Sequence, residues 1–255
     1  MTISVIVPTW NEACWLPRLL RCLKDSEVDE IIVVDNNSSD TTVHIASEFG
    51  CRVLSGSRPS ISRNIGAKAA HGDILVFIDA DVFVPEKTIE KARYAIEHDN
   101  YMAVHFKVVP ITDLSFVTIT YRIMNVFFRV LSILGASQGL GNFIAVSKDA
   151  FEAVNGFHEK ISVAEDVDFF RRINKLGRIK FETEHAVYVS SRRYYIESWA
   201  LYSLKCIQWS LLRLCGLRAS VFSYKWESYP EELAQSEEEW IRRNIPMRAG
   251  RTASR

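Results

Sequence analysis

Ile74-Leu75-Val76-Phe77-Ile78-Asp79-Ala80-Asp81 sets five consecutive apolar residues against two carboxylates one residue apart. Gly72-Asp73 precedes the run, and Pro85 closes the Val82-Phe83-Val84 that follows it. A short continuous apolar run bounded in this way predicts a strand buried on both faces. Ligands of open α/β sheets gather just beyond the carboxyl ends of such strands. Asp79 and Asp81 would stand there with their oxygens aimed at a common centre. Two carboxylates that close repel unless a cation or a proton intervenes. A divalent ion, Mg²⁺ or Mn²⁺, completed by substrate phosphates suits them. A polar turn after a strand is the plain alternative, because Asp is a common turn residue.

The flanking chain repeats the pattern. Ile3-Ser4-Val5-Ile6-Val7-Pro8 reads as a first buried strand, and Glu30-Ile31-Ile32-Val33-Val34-Asp35 as a second that again ends in a carboxylate. Trp15, Leu16, Leu19, Leu20 and Leu23 recur at helical spacing between them, with Pro17 suited to a first helical turn. Thr9-Trp10-Asn11-Glu12 occupies the turn where a dinucleotide fold carries Gly-x-Gly-x-x-Gly, which argues against a nicotinamide or flavin enzyme. Asn36 to Asp40 supplies turn and cap residues for a helix closing at Gly50, and Arg52-Val53-Leu54 is a short third strand. Arg58 to Asn64 reads as a basic, polar loop before a small-residue helix from Ile65 to Ala70. Strand and helix alternating at this spacing predict an α/β fold, a mostly parallel central sheet with helices on both faces.

The bulk properties set limits. A chain of 255 residues can bury a real core, and its 31 basic residues balance 31 acidic ones, which gives no charge signal for nucleic acid. Cys14, Cys22, Cys51, Cys206 and Cys215 form no Cys-x-x-Cys pair and are odd in number, favouring reduced thiols. Met1-Thr2 runs straight into a strand without a basic leader. The expected setting is cytoplasmic, with contact at the inner face of a membrane left open.

Taken together, Pro8-Thr9-Trp10-Asn11-Glu12, Val34-Asp35-Asn36-Asn37-Ser38-Ser39-Asp40, Ser62-Arg63-Asn64-Ile65-Gly66 and Asp79-Ala80-Asp81 stand in the order and spacing seen in family 2 glycosyltransferases. Asn155-Gly156-Phe157-His158-Glu159 resembles that family's Gly-Gly-Phe-Asp-Glu, and Glu165-Asp166 its catalytic Glu-Asp. The resemblance implies a GT-A fold: a nucleotide-sugar half over residues 1–110, an acceptor-binding helical half over 111–225, and a charged tail over 226–255. It further implies transfer of one sugar from a nucleotide-diphosphate sugar to a carbohydrate or lipid-linked acceptor, through a hydroxyl or phosphate. That transfer would be metal-dependent and inverting. Pro8, Thr9, Glu12, Asp35, Arg63, Asp79, Ala80 and Asp81 would line the donor, with the metal on Asp81 and Asp79. Asp166 would be the base and Glu165 would shape the acceptor pocket. Glu12 as a helix N-terminal carboxylate, and Arg63 as a surface arginine, stay open as alternatives.

The departures carry information too. Asp35-Asn36 stands where the family commonly has Asp-Asp, and Ser190-Ser191-Arg192-Arg193-Tyr194 where processive members carry Gln-x-x-Arg-Trp. The missing glutamine favours a single transfer. Arg192 and Arg193 either close over the diphosphate or form a basic surface pair. Two other classes compete: a sugar-phosphate nucleotidyltransferase, whose glycine-rich opening loop is absent, and a non-catalytic membrane-attached scaffold, against which Asp79, Asp81 and Asp166 speak.

Val104, Phe106 and Val108 alternate as a strand before the apolar stretch from Leu114 to Leu134. Its charges are Arg122 and Arg129 alone, and a spanning helix with two central arginines would cost several kcal/mol. That leaves a helix buried almost all round, or one lying in a membrane interface with its arginines towards headgroups. Tyr194 to Arg218, rich in aromatic and basic residues, is a second interfacial candidate, and Gly135 to Asn142 resembles the family's acceptor-side loop. After Tyr229 the chain is charged and poor in core residues, so the tail is expected to fray.

Overall fold

The computed structural model describes residues 1–161, 164–196 and 231–245, together with Gln208. Tyr194 is described; the rest of the aromatic segment, apart from Gln208, and the end of the tail lie outside those residues or have no described side chains. Strands β1 (Ile3–Thr9), β2 (Glu30–Asp35), β3 (Arg52–Ser55) and β4 (Ile74–Ile78) pair in parallel in the order β3-β2-β1-β4. The sheet goes on through β7 (Phe143–Ser147), antiparallel to β4, then β6 (Ala103–Ile111) and β8 (Ile179–Ser190), which run parallel to each other. The two-residue β5 (Val82–Phe83) closes the edge, antiparallel to β8. Six of the eight strands share one direction, as the spacing predicts.

Alternate residues of one strand enter different cores. Val5, Val7, Val33, Ile74, Val76 and Ile78 join one cluster with α1 (Leu16–Lys24) and α4 (Thr88–Glu97). Ile6, Ile32, Val34, Leu75 and Phe77 join another with α3 (Pro59–Ala69) and α7 (Glu165–Ile173). Burial on both faces explains why these strands are continuously apolar rather than alternating. α3 lies so close to β1 that a Cβ on Gly66 would stand 2.3 Å from Ile6 Cγ2. The helix α2 (Thr42–Glu48) ends before Gly50, whose φ of +75° makes the expected left-handed stop.

Two expectations are corrected, and one of two open alternatives is excluded. Residues 59–64 are no loop: Pro59 sits in the first turn of α3, where its missing N–H costs nothing, so the helix starts six residues before Ile65. The charged stretch after Tyr229 does not fray where it is described. It forms a helix over Glu231–Asn244, named α9 below, whose Ile241, with Ile245 beyond it, packs on Phe83 and Ile111.

The excluded alternative concerns α5 (Ser115–Ile133), which is not buried all round. Val117 and Phe128 face the domain, and Asn125 grips β6, accepting from Val108 N–H at 3.1 Å and donating to Val108 O at 2.7 Å. Ile119, Ile123, Val126, Val130 and Ile133 recur at three- and four-residue spacing on the exposed side, with Phe127 and Leu134 beside them. Arg122 and Arg129 are exposed as well. By length and composition α5 is long and apolar enough to cross a membrane, yet only 11 % of its apolar window is buried in the protein. Further helices among the described residues are α6 (Lys148–Ala153) and α8 (Arg192–Ile196).

Candidate active site

The site forms at the carboxyl ends of β1, β2 and β4, where neighbours of β1 are entered from opposite sides. Thr9 and Asp35 are directly paired across β1 and β2, and Thr9 Oγ1 donates to Asp35 Oδ1 at 3.0 Å. Ser38 completes the grip, its N–H donating to Asp35 Oδ2 at 2.8 Å and its hydroxyl to Oδ1 at 2.5 Å. Pro8 precedes Thr9 on the same strand, opposite Val34. The buried Asp35 is therefore oriented by the turn after β2.

Asp79 and Asp81 follow β4, with Ala80 buried between them. Each carboxylate already meets a buried guanidinium. Arg63, from the middle of α3, donates to Asp79 Oδ1 at 2.8 Å and to Glu165 Oε1 at 2.6 Å. Arg192 donates to Glu12 through both terminal nitrogens, at 2.9 and 2.7 Å, and its Nε lies 3.1 Å from Asp81 Oδ2. The β5–β8 pairing explains the second contact: Ser190 N–H donates to Asp81 O at 3.2 Å, which brings Arg192 alongside. Burial pushes the Glu12 carboxyl up to about 7, against the pull of Arg192. Burial also raises Asp79, with Arg63 opposing and Asp81 adding to the rise.

Asp166 stands in the first turn of α7. Its Oδ2 accepts from Gly141 N–H at 2.6 Å and its Oδ1 from Val167 N–H at 2.8 Å. Burial, with Glu165 next, raises this carboxyl to about 7. Asp168 is turned away and committed to Arg172, whose Nε lies 2.8 Å from Oδ2. The two carboxylates diverge, as helical spacing requires. The turn after α6 (Lys148–Ala153) uses left-handed Asn155 and Gly156, at φ of +56° and +63°, and Asn64 pins it by exchanging hydrogen bonds of 2.9 Å with Phe157 N–H and C=O.

Five carboxylates (Glu12, Asp79, Asp81, Glu165 and Asp166) thus surround the guanidinium groups of Arg63 and Arg192. Arg193, half-exposed, adds a charge felt at Asp79. This excess of hard oxygen donors fits a divalent ion with phosphate oxygens, Asp81 and Asp79 being the residues that would hold it. Arg63 bridges Asp79 to Glu165, and Arg192 holds Glu12. The sequence reading missed Gly141, Asn142, whose Nδ2 lies 3.4 Å from Asp79 Oδ2, and the buried set Trp15, Arg18 and Glu237. Gly141 and Asn142 lie in the glycine-rich stretch already singled out. Nothing in the local pattern marks the other three.

A mostly parallel sheet ending in carboxylates, faced by an acidic helix N-terminus, defines an α/β domain with its candidate site at the strand ends. Residues 4–148 match the sequence profile of Glycosyl transferase family 2, and the chain belongs to that family. It is 31 % identical over 182 residues to an uncharacterised glycosyltransferase of Haemophilus influenzae, covering 67 % of this chain and 61 % of the relative. It is 30 % identical over 163 residues to the 4,4'-diaponeurosporenoate glycosyltransferase of Staphylococcus haemolyticus, covering 60 % of this chain and 42 % of that protein. The chain thus spans less than two thirds of these relatives' length. Among solved structures it resembles glucosyl-3-phosphoglycerate synthase from Mycobacterium tuberculosis in complex with Mn²⁺ and UDP-glucose, at a TM-score of 0.63 and 20 % identity over 90 % of this chain and 85 % of the other. S. aureus TarS in complex with UDP-GlcNAc gives a TM-score of 0.61 at 19 % identity, over 96 % of this chain and 73 % of the other. Both are GT-A enzymes, and the α/β fold is shared.

Proposed function

We propose that this chain transfers a single sugar, with inversion, from a nucleotide-diphosphate sugar to an acceptor hydroxyl, using a divalent ion at Asp81 and Asp79. One observation carries the reading: Arg63 joins Asp79 at 2.8 Å and Glu165 at 2.6 Å, so the strand-end carboxylates and the acidic turn bearing Asp166 form one site. When bound, Mg²⁺ or Mn²⁺ neutralises the diphosphate leaving group. Asp35 and Thr9 orient the nucleoside. Asp166 takes the proton of the acceptor hydroxyl as its oxygen bonds to the anomeric carbon and the bond to the diphosphate oxygen breaks. Gly141 N–H keeps that carboxylate pointed at the acceptor. Arg63 compensates the charge between Asp79 and Glu165, and Arg192 and Arg193 stand where they can meet the diphosphate.

The test is release of nucleoside diphosphate from a panel of nucleotide sugars, with Mn²⁺ or with chelator. Metal-dependent release by wild type is expected, and release that is equal in Asp166→Asn overturns the assignment. A second reading concerns the acceptor. The exposed apolar stripe of α5, flanked by Arg122 and Arg129, favours an amphiphilic acceptor met at an anionic membrane surface. Gly135 to Asn142 leads from the end of α5 directly to Asp166.

A further inference from the structure

We infer that Glu237, on the C-terminal helix α9, is a positioning residue of the donor site: it sets where Asp81 and Arg192 stand. The inference rests on reading that site as the place of a metal and a diphosphate. Glu237 is buried, and every group it meets is a donor. Its Oε1 accepts from Ser190 Oγ at 2.5 Å and from Ser191 N–H at 3.2 Å. Its Oε2 accepts from Trp15 Nε1 at 2.9 Å and from the two terminal nitrogens of Arg18 at 3.4 and 3.3 Å.

Each partner leads to the site in one step. Arg18 donates to Asp81 O at 3.2 Å. Arg192 lies over the Trp15 ring, 4.5 Å from its centroid. Ser190 Oγ accepts from Arg192 N–H at 3.1 Å, and Ser191 is the residue before it. A single carboxylate thus ties α1, the end of β8 and the start of α8 around the Asp81–Arg192 contact. A carboxylate only accepts hydrogen bonds, whereas an amide must point its NH₂ at one of two groups of donors. Glu237→Gln therefore keeps size but breaks one side of the tie, and leaves Arg18 without its countercharge.

The test uses the full chain carrying Glu237→Gln or Ser190→Ala, with Glu239→Gln, on the exposed side of the same helix, as control. Hydrogen exchange should quicken at Ser191 and Arg192 in both variants while β1 and β4 stay protected. Calorimetry with Mn²⁺ and UDP or GDP, whichever wild type binds more tightly, should show affinity lowered roughly 10- to 100-fold in Glu237→Gln, the usual loss when a supporting partner of a metal site is removed. Unchanged exchange at Ser191 and Arg192 overturns the inference whatever ligand the site takes. Unchanged affinity beside a lowered Tm reduces Glu237 to a packing role, and overturns it too. Wild type binding neither nucleotide would count against the donor-site reading instead, and the exchange result would still decide the tie. If Glu237→Gln fails to fold, Ser190→Ala decides, since it removes one hydroxyl and leaves Glu237 its contacts with Trp15 and Arg18.

Discussion

Arg192 Nε lies 3.1 Å from Asp81 Oδ2, so one of the two carboxylates after β4 is held by a cation of the chain itself. The other two nitrogens of the same guanidinium hold Glu12. On the proposed function, Asp81 would hold the divalent ion, whose charge would replace that of Arg192 there and leave the guanidinium free to meet the diphosphate.

That exchange predicts opposite effects of one substitution. Arg192→Gln should bind Mn²⁺ alone more tightly than wild type, and a nucleoside diphosphate with Mn²⁺ more weakly. Asp81→Asn should lose both. Calorimetry with and without nucleotide reads this directly; an Arg192→Gln that weakens Mn²⁺ alone contradicts the exchange.

Asp166 carries the second prediction. Asp166→Asn should lower kcat by roughly 10²–10⁴, the usual worth of a general base, with nucleoside diphosphate affinity unchanged. Because burial raises the Asp166 carboxyl to about 7, kcat/KM of wild type should climb with pH up to about 7 and then level off. A profile already flat at pH 5 would point to Glu165 or another base.

The same carboxyl has a stability consequence of definite sign. Folding favours its protonated form, so the contribution is full below the ordinary value of 3.8 and is lost as pH rises through about 7. Asp166→Asn and wild type should melt together near pH 4, and the variant should melt higher at pH 8. Thermal scans at the two pH values suffice.

Gly66→Ala should destabilise although Ala is the better helix former by about 1 kcal/mol. Its methyl would meet Ile6 Cγ2 at 2.3 Å inside a packed core. A net loss of about 1–3 kcal/mol in urea unfolding is expected from such overpacking.

For α5, Ile123→Ser with Phe127→Ser should leave stability near wild type, since both side chains are exposed, and should weaken flotation with anionic liposomes. Phe128→Ala, on the buried side, should instead cost about 3–5 kcal/mol. Wild type that never floats rules out the membrane-surface acceptor.

The legible part of this fold is the part in which sequence neighbours share a task. Asp35, Asp79 and Asp81 follow apolar runs, and Glu165-Asp166 opens a helix, so strand ends and a helix start announced them. Arg63 is different: its partner Glu165 is 102 residues away, and only the packing of α3 against α7 joins them. Glu237 was hidden by its surroundings. It falls on the stripe of α9 shared with Trp240 and Ile241, where an apolar residue would have revealed a buried face, and so the helix read as a charged tail. Pro59 could have been read correctly as a helix start, but the basic residues around it suggested a loop.

If Glu237 positions the donor site as inferred, its tie to the β8 end also sets when the site is completed during synthesis. Chains emerge from the ribosome N-terminus first, at about 5–20 residues per second. Asp81 is thus exposed roughly 8–30 s before Glu237 at that rate. Throughout that interval the nascent sheet carries its acidic strand ends without the anchored arginine that later flanks them. On the inferred role of Glu237, the pocket would be fully assembled only after α9 has docked.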